Sequence, residues 1–367
     1  MRRFKKIIPL TLISLLTSCS TITNPPLEDY ISELLYKENF TILSLNDIHL
    51  SILTDLDEEY EHLTNVIYAR EKAFNLSKEE AKPDLIVLNG DTFMDVNSYV
   101  VDSFFNFIDS FNIPFAYTYG NHDLQGLYSN KYIDSVVKKC RNSVLKNPKD
   151  NVYGNSNYVI NLKENNETKW QIYVMDSNTY FGMNYDVIHD DQIEWYKNEI
   201  RLANNLTNDI NKSTTDLIPS LAYFHIPLEE FEEAWDDVNR TVSGKSGDSV
   251  WRMEESSGVA YGYRSNLLFE TMNSFRSTRG IICGHDHINY SDFHYTKGEN
   301  DDFPIRLIYG LKSTKGIYHD DFLMGGTFIT LNDDKTFTLN PIQVTYNGQV
   351  NHLNDDEIVA GDLIEYE

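Results

Sequence analysis

The chain has 367 residues, 31 Lys+Arg against 56 Asp+Glu, a formal net charge of -25, and 41% hydrophobic and 13% aromatic residues. That is the composition of a globular chain with a buried core, not of a disordered one. Three cysteines exclude a disulfide-stapled scaffold and a Cys-rich zinc domain, and the negative charge excludes a nucleic-acid partner, whose phosphates call for many Lys and Arg.

Arg2, Arg3, Lys5 and Lys6 precede an apolar stretch from Ile7 to Leu16. The stretch is too short to span a bilayer and fits the basic and apolar regions of a secretory signal. Leu16-Thr17-Ser18-Cys19 resembles the lipobox of bacterial lipoproteins, in which the cysteine becomes the lipidated first residue. The plainer reading is an ordinary signal, or a short buried helix, with a chance cysteine. The expected organisation is a signal peptide over 1–18, a lipid anchor on Cys19, a tether over 19–37 and one domain over 38–367. The protein is then exported and held on a bacterial membrane. Cys283 ends an apolar run and reads as a free buried thiol; a disulfide with Cys140 is not expected.

From residue 40 onward, β-branched runs alternate with helical stretches. Strands are predicted at Phe40–Leu45, Asp84–Leu88, Ile113–Thr118, Asn157–Leu162, Trp170–Met175, Leu217–Phe224, Gly280–Cys283, Ile305–Tyr309, Thr327–Leu331 and Thr336–Leu339. Helices are predicted around 58–76, 97–111, 127–142, 190–204, 228–236 and 264–276. Continuous apolar strands such as Leu85-Ile86-Val87-Leu88 predict burial on both faces. Alternation with helices predicts an α/β layered fold, and the strand-rich end a mixed sheet or two packed sheets. The Gly- and Ser-rich segment Ser243–Gly262 reads as a loop, and the acidic end Asp355–Glu367 as a solvated tail or edge strand.

Five polar clusters each follow a strand-like run: Asn46-Asp47-Ile48-His49, Asn89-Gly90-Asp91, Gly120-Asn121-His122-Asp123, His225, and Gly284-His285-Asp286-His287. Open α/β sheets bind ligands beyond the carboxyl ends of their strands. His and Asp together suit zinc, iron or manganese, and two such ions can clamp both oxygens of a phosphoryl displacement. Each cluster alone has a plain reading, since Gly-Asp is a common turn and a lone His225 is commonly a satisfied histidine. Their joint order is the signal.

That order, Asp-x-His, Gly-Asp, Gly-Asn-His-Asp, His, Gly-His-x-His, resembles the calcineurin-like metallophosphoesterases. Tyr223-Phe224-His225-Ile226-Pro227-Leu228 and Gly284-His285-Asp286-His287-Ile288-Asn289 look most like the small purple-acid-phosphatase-related branch. The resemblance, over about residues 40–295, implies a four-layer sandwich of two mixed β-sheets flanked by helices. It implies one ion held by Asp47, His49 and His287, another by Asn121, His225 and His285, and Asp91 bridging them. A bridging water or hydroxide would be the nucleophile, and His122 would face the leaving group as general acid. Asp123, Asp95 and Arg252 are candidate substrate contacts or supports, Arg252 from a substrate-covering loop. The two ions are expected to be transition metals, Mn, Fe or Zn. The chain departs from true purple acid phosphatases at Met94, where they carry a metal-binding tyrosine. It departs from the protein Ser/Thr phosphatases at Asp95-Val96, where they carry Asp-Arg.

The function expected is hydrolysis of small phosphate monoesters by a monomer. A phosphodiesterase or nucleotidase on the same core, or a metal-binding surface lipoprotein without catalysis, are the alternatives.

Overall fold

A computed structural model describes residues 30–126, 129–145, 149, 151–206, 217–254, 258–298 and 302–361. The predicted signal peptide and Cys19 lie outside these residues. In chain order the elements are β1 (Ile31–Leu35), β2 (Thr41–Leu45), α1 (Leu56–Ile67), α2 (Ala69–Ala73), α3 (Lys78–Ala81), β3 (Leu85–Asn89), α4 (Ser98–Ser110), β4 (Phe115–Thr118) and α5 (Asn130–Val137). They continue as β5 (Tyr158–Glu164), β6 (Glu167–Val174), β7 (Tyr180–Phe181), β8 (Asn184–Tyr185), α6 (Asp190–Ala203), β9 (Ser220–Tyr223), α7 (Glu229–Asp237), β10 (Ser243–Ser246), β11 (Ser249–Arg252) and α8 (Leu268–Phe275). The chain closes with β12 (Thr278–Cys283), β13 (Tyr290–Tyr295), β14 (Ile305–Tyr309), β15 (Gly325–Leu331), β16 (Phe337–Val344), β17 (Val350–His352) and α9 (Asp355–Ala360).

Two mixed sheets form the centre. One has nine strands in the order β1-β5-β6-β9-β12-β14-β13-β11-β10, the other six in the order β17-β16-β15-β2-β3-β4. Alternation along the strands sends side chains to both faces of the larger sheet. Leu221, Tyr223 and Ile282 enter the core shared with the smaller sheet, beside Ile42, Leu85 and Val87. Their neighbours Ala222, Phe224, Ile281 and Cys283 point the other way and pack with α6, α7 and α8 residues such as Tyr196, Trp235 and Met272. This explains the continuous apolar runs in the sequence: such a strand is covered on both sides. Helices α1 and α2 cover β15 and β16 on the outside of the smaller sheet. The arrangement is the expected four layers.

The core carries a cluster of aromatic rings. Phe104 on α4 meets Phe93 edge-on at 5.5 Å and Phe105 at 5.5 Å, and it is fully buried. Phe104→Ala is expected to lower unfolding free energy by about 3–5 kcal/mol, through lost transfer energy plus a cavity. Urea unfolding reads it; a loss below about 1 kcal/mol would mean the cluster is not packed as described.

Several expectations are corrected. Residues 31–35, assigned to the tether, form β1, which runs parallel to β5 and pairs Ile31 with Val159 and Leu35 with Lys163. Only Ser32 of its five residues is buried, so its sequence lacks the apolar pattern of a strand. The segment read as a loop from Ser243 forms the hairpin β10–β11, which extends the larger sheet through pairing of β11 with β13. Its two-residue connection begins with Gly247 at φ 58°, the glycine-first pattern of tight hairpins. The acidic end holds a helix where a tail or strand was expected: Asn354 and Glu357 form a reciprocal capping box that starts α9. Strand β13 was unpredicted because Ser291, Asp292 and His294 break its apolar pattern; Asp292 is held there by Arg306 at 2.7 and 2.8 Å. Cys140 and Cys283 are free, as expected.

Candidate metal centre

Strands β2, β3 and β4 run parallel in the smaller sheet, and β9 and β12 run parallel in the larger one. Their carboxyl ends converge. The loop after β2 brings Asp47 and His49, the loop after β3 brings Asp91, and the loop after β4 brings Asn121 and His122. The end of β9 brings His225, and the turn after β12 brings His285 and His287. Asn89, at the end of β3, ties the two sheets together: its side-chain amide donates to the carbonyls of Ile282 (3.1 Å) and Phe224 (3.4 Å).

The loops pack with no space for a side chain between them. A Cβ on Gly120 would collide with the Asp91 carboxylate and backbone nitrogen, and one on Gly284 would sit 2.6 Å from Asp47 Oδ2. The predicted ligands themselves pay in backbone strain: Asp47 (φ 53°), His49 (52°), Asp91 (49°) and His285 (82°) all occupy the left-handed region. Such residues cost on the order of 1–3 kcal/mol each and persist where the surroundings over-determine them.

The seven predicted ligands come together, six of them as two donor groups. Asp47, His49, Asp91 and His287 form one, and Asp91, His225 and His285 the other, with the ligating atoms of each group within 4.8 Å of one another. All six are buried. Asp91 belongs to both. Its Oδ1 accepts the backbone N–H of His122 (2.7 Å), which leaves Oδ2 at the centre, 3.5 Å from His49 Nε2 and 3.0 Å from His225 Nε2. Asn121, the seventh, sits between Gly120 and His122, both packed on Asp91, and its buried Oδ1 has no hydrogen-bond partner.

The hydrogen bonds set which nitrogens can bind a cation. Nδ1 of His225 lies 3.0 Å from the carbonyl of Asn89, and Nδ1 of His287 lies 3.0 Å from the carbonyl of Tyr318. A carbonyl only accepts, so the proton sits on Nδ1 and the lone pair on Nε2 faces the cluster. His49 Nε2 and His287 Nε2 approach to 2.9 Å. Nε2 of His287 carries a lone pair there, and His49, whose Nδ1 has no partner, meets it with an Nε2 proton or through a shared cation. Nε2 of His225 and of His285, Oδ2 of Asp91 and Oδ1 of Asn121 are likewise buried without hydrogen-bond partners. This donor set fits a pair of transition-metal ions.

The electrostatics divide the histidines. Burial drives His285 down to about 3 and His49 down to about 4, so both favour the neutral, ligating form. Burial also opposes charge on His225, but Asp91 and Asp47 outweigh it and raise that histidine to about 9. Burial would raise both carboxyls too; the facing histidines win and hold Asp47 and Asp91 well below the ordinary carboxylate range.

Other predicted residues divide. His122 stands at the mouth, half-buried, its ring 5.2 Å from that of His49 and its Nδ1 2.8 Å from Gln125 Oε1. Asp123 is a support: its carboxylate accepts from the backbone of Phe93 (2.9 Å) and Gly120 (2.7 Å), so it joins the loops after β3 and β4. Burial and the neighbouring Asp91 charge push it up to about 8. Asp95 is exposed and lies outside both donor groups. Arg252 is corrected: it lies on β11, 3.9 Å from Asp320 and over the ring of Phe322, with no predicted ligand among its contacts. A strand register, not a covering loop, directs it.

Sequence reasoning missed the segment 311–318. Asn46 donates its side-chain amide to the carbonyl of Leu311 (3.1 Å) and its backbone N–H to Ser313 Oγ (3.0 Å). Thr314 donates to the carbonyl of Ile48 (2.5 Å), and buried Lys312 to that of Asp47. Burial lowers Lys312 to about 8 against the pull of Asp47 and Asp91. Each of these bonds pairs one side chain with one backbone atom, and the string Lys312-Ser313-Thr314 that supplies three of the side chains holds no metal-ligating residue to single it out.

The family model for calcineurin-like phosphoesterases matches residues 40–289, most of the chain and every strand end just described. The chain belongs to the calcineurin-like phosphoesterase family. Among similar curated proteins is an uncharacterized protein of Schizosaccharomyces pombe, 29% identical over 268 residues, covering 69% of this chain and 46% of that protein. Phosphatase DCR2 of Saccharomyces cerevisiae is 26% identical, covering 68% of this chain and 44% of its own. "Probable inactive purple acid phosphatase 29" of Arabidopsis thaliana is 26% identical, covering 57% and 55%. The chain thus spans about half the length of these relatives. The purple-acid-phosphatase-related resemblance read from the two histidine strings agrees with these relatives. In this calcineurin-like phosphoesterase the position three residues after the shared aspartate is the half-buried Met94.

Proposed function

We propose that the protein hydrolyses phosphate monoesters at a two-metal centre. One position would be held by Asp47, His49 and His287, the other by Asn121, His225 and His285, with Asp91 common to both. The observation that carries this reading is the sharing of Asp91 between two buried donor groups. Bound there, two cations would supply Lewis-acid stabilisation of phosphoryl charge and lower the pKa of water in the site.

The chain's own contribution begins with His122. Its Nδ1–H is held by the Gln125 side-chain oxygen. From the imidazolium, Nε2 can give a proton to the departing alkoxide oxygen, and the neutral ring then keeps its Nδ1–H bond unchanged. Asp91 fixes the same loop through the His122 N–H, so the proton donor and the shared ligand move together. The rings of Tyr318, stacked on His287 at 4.2 Å, and Tyr185, edge-on to His285 at 4.3 Å, wall the site.

The test is turnover of p-nitrophenyl phosphate and bis-p-nitrophenyl phosphate after loading with Mn, Fe or Zn. The monoester is expected to be the faster. A faster diester transfers the reading to a phosphodiesterase, and no turnover of either overturns it. A non-catalytic metal-binding role draws on the relatives whose names include "probable inactive". The placement of His122 beside His49 argues against it, because metal binding alone has no need of that ring.

We also propose that the protein is an exported, lipid-anchored monomer whose catalytic domain begins with β1. The support is the run of residues 2–19 in sequence. Cys19→Ser is expected to abolish incorporation of labelled palmitate and to release the protein from membranes; unchanged labelling contradicts the anchor.

A further inference from the structure

The two halves of the centre are supported differently. The half containing Asp47, His49 and His287 is gripped by the segment 311–318, whose Leu311, Lys312, Ser313 and Thr314 are buried. The half containing Asn121, His225 and His285 meets the two-stranded hairpin β7–β8, a sheet of its own. Two of its side chains reach the cluster. The Tyr180 hydroxyl accepts a hydrogen bond from Asn121 Nδ2 at 3.0 Å, and the Tyr185 ring stands edge-on to His285. The hairpin is otherwise exposed: Tyr180 is 41% accessible, Phe181 57% and Met183 99%. Its outer support is Phe181 stacked on Tyr263 at 4.5 Å, and the Tyr263 N–H donating to the carbonyl of Tyr185 at 2.9 Å.

Asn121 differs in kind from the other ligands. A carboxylate offers an oxygen whichever way it turns, and the two histidines bonded to carbonyls have their tautomers set. A carboxamide presents oxygen on one side and two N–H donors on the other. Flipped, it would aim N–H at a cation and lose the position. Its Oδ1 is buried without a partner, and its Nδ2 donates to Tyr180.

We propose that Tyr180 is a positioning residue for the second metal position alone: it takes the Asn121 amide N–H and so keeps Oδ1 turned into the cluster. This inference rests on the two-metal reading above. Partners of this sort, one shell behind a ligand, set its orientation, and their loss costs 10–100-fold in metal affinity.

The experiment is calorimetric titration of the metal-stripped protein with Mn²⁺, for wild type, Tyr180→Phe and Tyr185→Phe. His285→Ala assigns the step that belongs to the second position. In Tyr180→Phe that step is expected to weaken by about 10–100-fold, with the other step unchanged. Tyr185→Phe keeps its ring and is expected to match wild type. Unchanged steps in Tyr180→Phe overturn the inference. Equal weakening of both steps also overturns it, because that marks a general loosening of the fold. A wild type that binds fewer than two ions overturns the two-metal reading itself, and the inference with it.

Discussion

Asp91→Asn is expected to lower kcat for a phosphate monoester by about three orders of magnitude or more, and to remove metal from both positions. The carboxylate is the one donor common to both groups, and its Oδ2 lies at the centre, 3.0 Å from His225 Nε2 and 3.5 Å from His49 Nε2. Asparagine is of equal size and can still accept the His122 N–H, so the loop after β4 keeps its place. What is lost is the negative charge of the one donor common to both groups. Metal stabilisation of the transition state contributes several kcal/mol, and each 1.36 kcal/mol is a tenfold change in rate. Steady-state kinetics with elemental analysis of the same preparation checks the result. A variant within tenfold of wild type, with its metal retained, would mean that Asp91 is not the shared ligand.

His122→Ala is expected to lower kcat by about 10²–10⁴-fold, the usual contribution of a positioned proton donor, while metal content stays at the wild-type level. The separation follows from geometry: the His122 ring lies beside His49 but outside both donor groups. The size of the loss depends on the leaving group. An alkoxide must be protonated as it departs, whereas p-nitrophenolate leaves readily without a proton. Loss on an alkyl phosphate should therefore exceed loss on p-nitrophenyl phosphate. Kinetics on both substrates read this directly. An equal loss on the two, or a loss of metal, would place His122 in the scaffold instead of at the leaving group.

The parts legible in sequence are those in which one residue type answers one physical demand. Leu85-Ile86-Val87-Leu88 reads as a strand covered on both faces because β3 is covered on both faces. The ligands read as polar strings at strand ends because a buried metal position needs His and Asp where the backbone turns away from the sheet. Supports made by backbone atoms are illegible: the carbonyls of Leu311 and Tyr318 serve Asn46 and His287 whatever side chains those positions carry. Elements whose stability is supplied by a distant partner are also hidden. Strand β1 exists because β5 offers it an edge, and β13 because β14 and β11 pair with it on both sides. Arg252 was misassigned for the same reason, since a Gly- and Ser-rich string does not reveal that Val250-Trp251 pairs with Ser291-Asp292. Tyr180 is the clearest omission. It lies 59 positions from Asn121, and a tyrosine in a short polar turn carries no sign that its hydroxyl faces an amide.

The most direct measurement is the transition-metal content of the purified wild-type chain by elemental analysis, after reconstitution with Mn, Fe or Zn and removal of excess ion. Two donor groups that share Asp91 predict about two ions per chain. One ion per chain, or none, would contradict the two-metal centre.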